Sequence, residues 1–248
     1  MTELLKCLVC GGTDLTNYLN LGDQPLANSF PSLPGVELEM YPLMVNFCNS
    51  CSHNQLSEVV DPEILFKDYL YVSGTSQTLK DHFRELATYC LVRTGGDGTS
   101  VLSIGCNDAT DLEAFRAAGF SVQGVDPAEN LRHLSEAKDI PVEVAMWDGE
   151  TCTKINRKFD VVIACNVLAH NSNPAAFLRA CGPALSTEGI LVIEFPLYSR
   201  TINSLDIGQI YHEHRSMFNY SDFGLLAGRE GFEIKDTIDL PKIHGGTV

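Results

Sequence analysis

The rhythm of apolar and polar positions changes twice along this chain. Up to about Val60 there is little helical periodicity, and turn residues interrupt at Gly11–Gly12, Leu21–Pro25 and Pro31–Gly35. From Asp61 the pattern becomes helical, with Leu79, Phe83, Leu86, Cys90 and Leu91 on one stripe until the loop Thr94–Thr99. Strands and helices then alternate. Strands are predicted at Val101–Ile104, Ser121–Val125, Val142–Ala145, Asp160–Ala164 and Gly189–Phe195. Helices are predicted near Asp111–Ala118, at Pro127–Ala137 and at Pro174–Leu185. Near-continuous apolar strands in a βαβαβ order predict an α/β fold, a doubly wound parallel sheet covered by helices on both faces. Beyond it the pattern predicts a helix over Tyr220–Glu230 stopped by Gly231, and a strand over Phe232–Ile238. His244–Val248 reads as the first residues of one more strand, cut short.

At 248 residues the chain has room for one full α/β domain and a smaller module. The expected organisation is a metal-binding domain over 1–60, a helical connector over 61–98 and the α/β domain over 99–248. No apolar run approaches the roughly 20 residues that cross a membrane. The first residues lack the layout of a signal peptide. The expectation is a cytoplasmic protein with no membrane partner. A formal net charge of −15 argues against a nucleic-acid partner, which needs a basic face. It leaves room for a small anionic ligand held by local donors.

Four of the nine cysteines form two C-x-x-C pairs, Cys7/Cys10 and Cys48/Cys51. Each pair sets two thiolates on one tight turn, and two such turns complete a four-sulfur shell for structural zinc. Four protein sulfurs leave no open position for water, so the metal is structural rather than catalytic. His53 could substitute as a ligand but is not needed. A disulfide framework is the weaker alternative for a chain read as cytoplasmic.

The other chemistry sits at strand ends, where open α/β sheets bind ligands. Val101–Ala109 resembles the first motif of class I methyltransferases, with Gly105, Asn107 and Asp108 in its turn. Asp126 ends the second strand, placed to accept both hydroxyls of a ribose; it also reads as a cap for the helix after Pro127. The G-x-G-x-x-G of a nicotinamide site is absent. Trp147, after the third strand, reads equally as an adenine platform or a core residue. Asn166 and His170 follow the fourth strand. Ser103 stands where the methyltransferase motif usually carries an acid, and Ala109 replaces a common glycine.

Together with Leu21–Phe30, Tyr41–Leu43, Asp68–Ser76 and Gln209–His214, these residues make the chain similar to the sugar C-methyltransferases. That family acts on nucleotide-linked 4-keto-deoxysugars. The resemblance implies S-adenosylmethionine as methyl donor and a nucleotide-linked keto-sugar as partner. It implies that Tyr71, Ser73 and Ser76 help hold the sugar nucleotide's phosphates. It places His170, Tyr211, Glu213 and His214 around the keto-sugar, and gives the zinc module a share in the substrate cleft. Family members continue past the His-Gly-Gly block into a last strand and a further domain, which this chain is expected to lack.

Methylating carbon needs an acidified C–H. A base removes the proton beside the ketone and the enolate carbon takes the methyl group, so the site needs a base and a donor near the enolate oxygen. His214 is the leading base, with Tyr211 as the alternative. Glu213 orients an imidazole or binds a sugar hydroxyl, and His170 donates to the ketone or enolate oxygen. The same cluster also reads as a metal site or a plain surface turn. Two other functions stay open: a catalytically weak or inactive nucleotide-sugar binding module, and an RNA methyltransferase, which the acidity disfavours.

Overall fold

The computed structural model describes residues 1–248 except Ser32, Pro34, Lys67, Asp68, Asp97, His244 and Gly245. The expected turn at Pro31–Gly35, the loop at Thr94–Thr99, the start of the Asp68–Ser76 block and the His244–Val248 strand therefore fall partly outside the described residues. Two compact units form. The cysteine unit joins Met1–Leu65, Leu168–Ala175 and Phe195–Val248; the sheet unit joins Phe66–Val167 and Ala176–Glu194. Both units interleave along the chain, whereas the segments expected from the sequence follow one another.

The sheet unit is built on five parallel strands: β6 (Ser100–Ile104), β7 (Ser121–Asp126), β8 (Val142–Val144), β9 (Phe159–Cys165) and β10 (Leu185–Glu194). Their order is β10-β9-β6-β7-β8, all pairs parallel. The reversal of direction beside β6 makes the doubly wound sheet that the alternation predicts. All five residues of β6 are buried, as expected of a strand covered on both faces. Helix α2 (Gln77–Thr94) starts at Ser76, whose hydroxyl accepts from Leu79 N–H at 3.3 Å, and stops at Gly95 in the left-handed region. It packs Leu86, Ala87 and Cys90 against Val101 and Val161, and against Leu112 and Phe115 of α3 (Thr110–Ala117). Helix α6 (Pro174–Ala184) matches its predicted span.

Two helices of the sheet unit differ from expectation. Over Pro127–Ala137 a 3₁₀ turn, Glu129–Leu131, leads into a short α4 (Arg132–Glu136). Pro127 has no N–H, and the N–H of Ala128 is taken by the Asp126 side chain at 2.8 Å, so regular helix bonding starts late. Helix α5 (Gly149–Ile155) was not foreseen; it has no apolar stripe, and its one sequence signal is Asp148, whose carboxylate caps Thr151 N–H at 2.8 Å.

The cysteine unit holds a four-stranded antiparallel sheet in the order β11-β4-β3-β2. Its strands are β2 (Leu15–Pro25), β3 (Met40–Cys48), β4 (Asn54–Leu56) and β11 (Ser216–Met217). The β2–β3 pairing contradicts the reading of this stretch as turn-rich and poor in elements. Register shifts at Asn17/Leu19 and Asn20/Asp23 break the alternation of β2, most of which is exposed, so the period of two is blurred in sequence. Leu43, Val45 and Leu56 pack with Tyr198, Ile210 and Met217. A short pair, β1 (Thr2–Glu3) with β5 (Glu58–Val59), precedes α1 (Pro62–Phe66). Helix α7 (Tyr198–Ser204) follows later in the chain. Helix α8 (Tyr220–Arg229) opens with an Asn219/Asp222 capping box, and Gly231 follows at φ 85° as foreseen.

The strand expected at Phe232–Ile238 does not form: the segment is irregular, with Ile234 and Ile238 about half exposed and no ladder partner among the described residues. Its alternation of apolar and polar residues had suggested a strand, but a strand needs a neighbouring edge to pair with. Val248 exchanges both backbone bonds with Phe195 at 3.1 Å, and Thr247 bridges Pro196 and Leu240, so the last described residues do start a pairing. Among the described residues, no helix is long and apolar enough to cross a membrane.

Candidate functional site

The four cysteines of the two C-x-x-C pairs converge, with their sulfurs all within 4.8 Å of one another. Cys7 and Cys51 stand 3.5 Å apart, as do Cys10 and Cys48. Sulfurs about 2.3 Å from a tetrahedral zinc would stand about 3.8 Å apart, so the cluster fits that ion. Tight turns build it: Gly11 N–H donates to Cys7 C=O at 2.9 Å and Ser52 N–H to Cys48 C=O at 2.8 Å. Burial pushes the Cys7 thiol up to about 11 and the Cys51 thiol up further. Cys48 moves down although burial opposes it, because the N–H groups of Cys51 and Ser50 favour its thiolate. A divalent cation at the centre favours all four thiolates. His53 is not part of the cluster: its Nδ1 lies 2.5 Å from Asp222 of α8, both fully buried.

In the sheet unit, the turn after β6 is shaped for close approach. Gly105 has φ 71°, and a Cβ there would collide with Val167. Asp126 accepts from the N–H of Asn107 at 2.7 Å and from Ala128 at 2.8 Å, while burial raises its carboxyl. It thus clamps the glycine turn and holds the N–H of Ala128 ahead of the next 3₁₀ turn, without being the cap of a helix, and two lone pairs remain for a ligand's hydroxyls. The Asn107 side chain reaches to the segment before α2, accepting from Ser73 N–H at 2.9 Å and donating to Tyr71 C=O at 2.9 Å. Asp108 accepts from Thr110 and from Lys138. Tyr71 is exposed, and the Ser76 hydroxyl serves as helix cap.

The two departures from the motif have local answers. Ser103 donates to the buried carboxyl of Asp111, which brings an acid back beneath the turn from α3. Burial pushes Asp111 up to about 7, against the Ser103 and Leu112 bonds. Ala109 sits at φ 62°, the left-handed conformation in which glycine is at ease. Trp147 is buried against Cys181, the setting of a core residue. Asn166 follows β9 at φ 57°.

In the cysteine unit, His170, Tyr211, Glu213 and His214 come together. The rings of Tyr211 and His214 are 4.3 Å apart, and those of His170 and His214 are 4.9 Å apart. His214 Nδ1 lies 2.7 Å from Gln209 C=O, an acceptor only, so Nδ1 carries a proton. In the neutral ring Nε2 then has the lone pair, and it accepts from the Tyr211 hydroxyl at 3.2 Å. Burial, then the Glu213 charge, raise the Tyr211 phenol well above its ordinary value, so it acts as a neutral donor at neutral pH. Glu213 accepts from Asn28 Nδ2 at 2.7 Å and lies 3.9 Å from His170 Nδ1, an electrostatic rather than a hydrogen-bond distance. His212 turns away and lies 3.2 Å from Tyr41 C=O.

Sequence reasoning missed Asn28, although it stands in the quoted block Leu21–Phe30. No motif logic singles out an amide on a loop until its partner is known. It also gave no role to His82 and Glu194, a buried pair 2.7 Å apart.

Family models match two stretches: one described as "Putative zinc binding domain" over residues 7–66, and "Methyltransferase domain" over residues 72–237. The chain is 29% identical to C-methyltransferase NovU of Streptomyces niveus over 98% of its own length and 59% of the relative's. It is 28% identical to a ubiquinone biosynthesis O-methyltransferase of Azorhizobium caulinodans over 47% of each chain. It thus spans less than two thirds of the length of these curated relatives. Magnesium protoporphyrin IX methyltransferase of Synechocystis PCC 6803, solved with bound SAM, superposes with a TM-score of 0.52 at 16% identity, covering 68% of this chain and 76% of that one. The plantazolicin methyltransferase BpumL, in complex with SAH, gives 0.51 at 19% over 64% and 65%. These likenesses show the class I methyltransferase fold. With more than half its residues matched by one model, the chain belongs to the methyltransferase-domain family and carries the four-cysteine cluster of a zinc-binding domain ahead of it.

Proposed function

We propose that this chain is a S-adenosylmethionine-dependent C-methyltransferase acting beside the ketone of a nucleoside-diphosphate-linked 4-keto-deoxysugar. The fixed tautomer of His214 carries the reading. A backbone carbonyl holds the proton on Nδ1, which leaves the Nε2 lone pair to receive the substrate's α-proton once the Tyr211 hydroxyl that it accepts from turns to the ketone oxygen. The raised phenol of Tyr211 stays protonated at neutral pH, so it is not available as the base and is available as a donor to an enolate oxygen, a role it shares with His170. Glu213, fixed by Asn28, binds a sugar hydroxyl or orients the His170 imidazole.

On the sheet unit, Asp126 receives the ribose hydroxyls, and Gly105, Asn107, Asp108 and Asn166 shape the remaining rim. The adenine is assigned to the β8 end beside Trp147. Once bound, S-adenosylmethionine supplies an electrophilic sulfonium methyl. Tyr71, Ser73 and Ser76 are proposed to lie against the sugar nucleotide's phosphates, and Cys7, Cys10, Cys48 and Cys51 to hold a structural zinc. The similarity to C-methyltransferase NovU over nearly the whole chain supports carbon as the acceptor.

The test uses a nucleoside-diphosphate-linked 4-keto-deoxysugar in deuterium oxide, first without methyl donor. Deuterium should enter beside the ketone, and labelled S-adenosylmethionine should then methylate that carbon. His214→Gln should abolish both. Binding of the sugar nucleotide with neither exchange nor transfer would replace the enzyme by a catalytically inactive binding module.

A further inference from the structure

Two side-chain oxygens at the carboxyl ends of β9 and β10 are buried without a hydrogen-bond partner among the described residues: Asn166 Oδ1 and Glu194 Oε2. Glu194 is only 3% exposed, and its other oxygen lies 2.7 Å from Nε2 of His82 on α2, itself 6% exposed. The two residues are joined through the backbone, Asn166 N–H donating to Glu194 C=O at 2.9 Å. A buried acceptor left unmet is costly, and more so when it is charged. The groups around Glu194 offer little. The thiols of Cys165 and Cys90 are pushed up by burial and then by the Glu194 charge, so they stay protonated; the Cys165 thiol hydrogen-bonds Glu194, but a thiol donates only weakly. Lys138, the cation near the glycine turn, is engaged by Asp108, Glu113 and Thr110. Two unmet acceptors on residues at adjacent strand ends, one of them a carboxylate, match a cationic N–H donor.

The order of strands says which part of a ligand that is. With the ribose at Asp126 on β7 and the adenine towards β8, the other end of the cofactor extends over β6. Strands about 4.8 Å apart place the end of β9 about 10 Å from β7 on the side away from β8, and β10 beyond it. The group that a cofactor so placed brings to β9 and β10 is its amino-acid tail.

We propose that Glu194, steered by the buried imidazole of His82, receives the α-ammonium group of S-adenosylmethionine together with the side-chain oxygen of Asn166. This rests on the cofactor reading above. Glu194 is then a binding residue for the cofactor, and His82 a positioning residue that acts through it.

Calorimetry on the full, zinc-loaded chain tests it with two ligands: S-adenosylhomocysteine and the same molecule with its α-amino group replaced by hydrogen. The native chain should prefer the amino-bearing ligand by ~10-fold or more, as a charge-assisted bond implies. Glu194→Gln keeps the shape but removes the charge, and should lose that preference while binding the deaminated ligand as the native chain does. His82→Gln should lose part of it. Asn166→Ser, which leaves the Glu194–His82 pair intact, should also lose part and serves if Glu194→Gln does not fold. Equal weakening of both ligands in these variants, or no weakening of either, would overturn the proposal. A folded native chain that binds neither ligand would overturn the cofactor reading and this proposal with it.

Discussion

The cysteine unit and the sheet unit reach order by different routes. In the sheet unit, apolar strands such as β6 are buried along their whole length and packed by Leu86, Cys90, Leu112 and Phe115. In the cysteine unit, β2 lies largely exposed and the core around Leu43, Val45 and Leu56 is small. Four sulfurs within 4.8 Å, and a buried His53–Asp222 pair tying the second cysteine turn to α8, take over where apolar burial falls short. Their chemistry differs in kind as well. The sheet unit offers backbone turns and carboxylates at strand ends, suited to binding; the cysteine unit offers an imidazole and a phenol, suited to moving a proton.

The largest effect that would sharpen this contrast is metal removal. Apparent zinc binding of ~10–16 kcal/mol is as large as the whole stability of an ordinary domain. With a chelator, the amides of β2 and β3 should exchange with solvent orders of magnitude faster, while those of β6 and β9 stay protected. Equal loss in β6 would break the comparison. Phe115→Ala is the reciprocal test, expected to cost ~3–5 kcal/mol in denaturant unfolding of the sheet unit and to leave zinc stoichiometry unchanged.

A smaller effect concerns pH. Asp111 is raised from 3.8 to about 7 by burial, with Asp108 and Asp126 adding to the rise. The folded chain therefore holds a proton that the unfolded chain releases near pH 4, and stability falls as pH rises between about 4 and 7. Asp111→Asn should flatten that fall by an amount on the order of a few kcal/mol, read as denaturation midpoints at pH 5 and pH 8. An unchanged slope would mean that Asp111 ionises freely in the folded state. Ala109→Gly should change least. Relief of the left-handed alanine is offset by a lost buried methyl and a freer unfolded chain, so the midpoint should move by less than about 1 kcal/mol.

The same contrast governs what the sequence showed. Strands buried on both faces advertise themselves as apolar runs, and β6, β7 and β9 were legible to within about a residue or two of their ends. The β2–β3 pairing was not, because its register shifts destroy the period of two. Both cysteine pairs were legible from spacing alone. Gly105 and Asp126 stood out by position, but Asp126's second task, clamping Asn107 N–H, needs the fold. The tautomer of His214 depends on Gln209 C=O, and backbone carbonyls carry no sequence signal. His82 and Glu194 lie 112 positions apart, so only the folded chain pairs them.

Everything proposed for the sheet unit depends on methyl-donor binding at its strand ends. It is tested most directly by titrating S-adenosylmethionine into the zinc-loaded chain by calorimetry, beside Asp126→Ala. Binding should be micromolar in the native chain and weakened ~10- to 100-fold in the variant through lost charge-assisted bonds to the ribose. A folded native chain that takes up no S-adenosylmethionine, or a variant that binds it equally well, would contradict it.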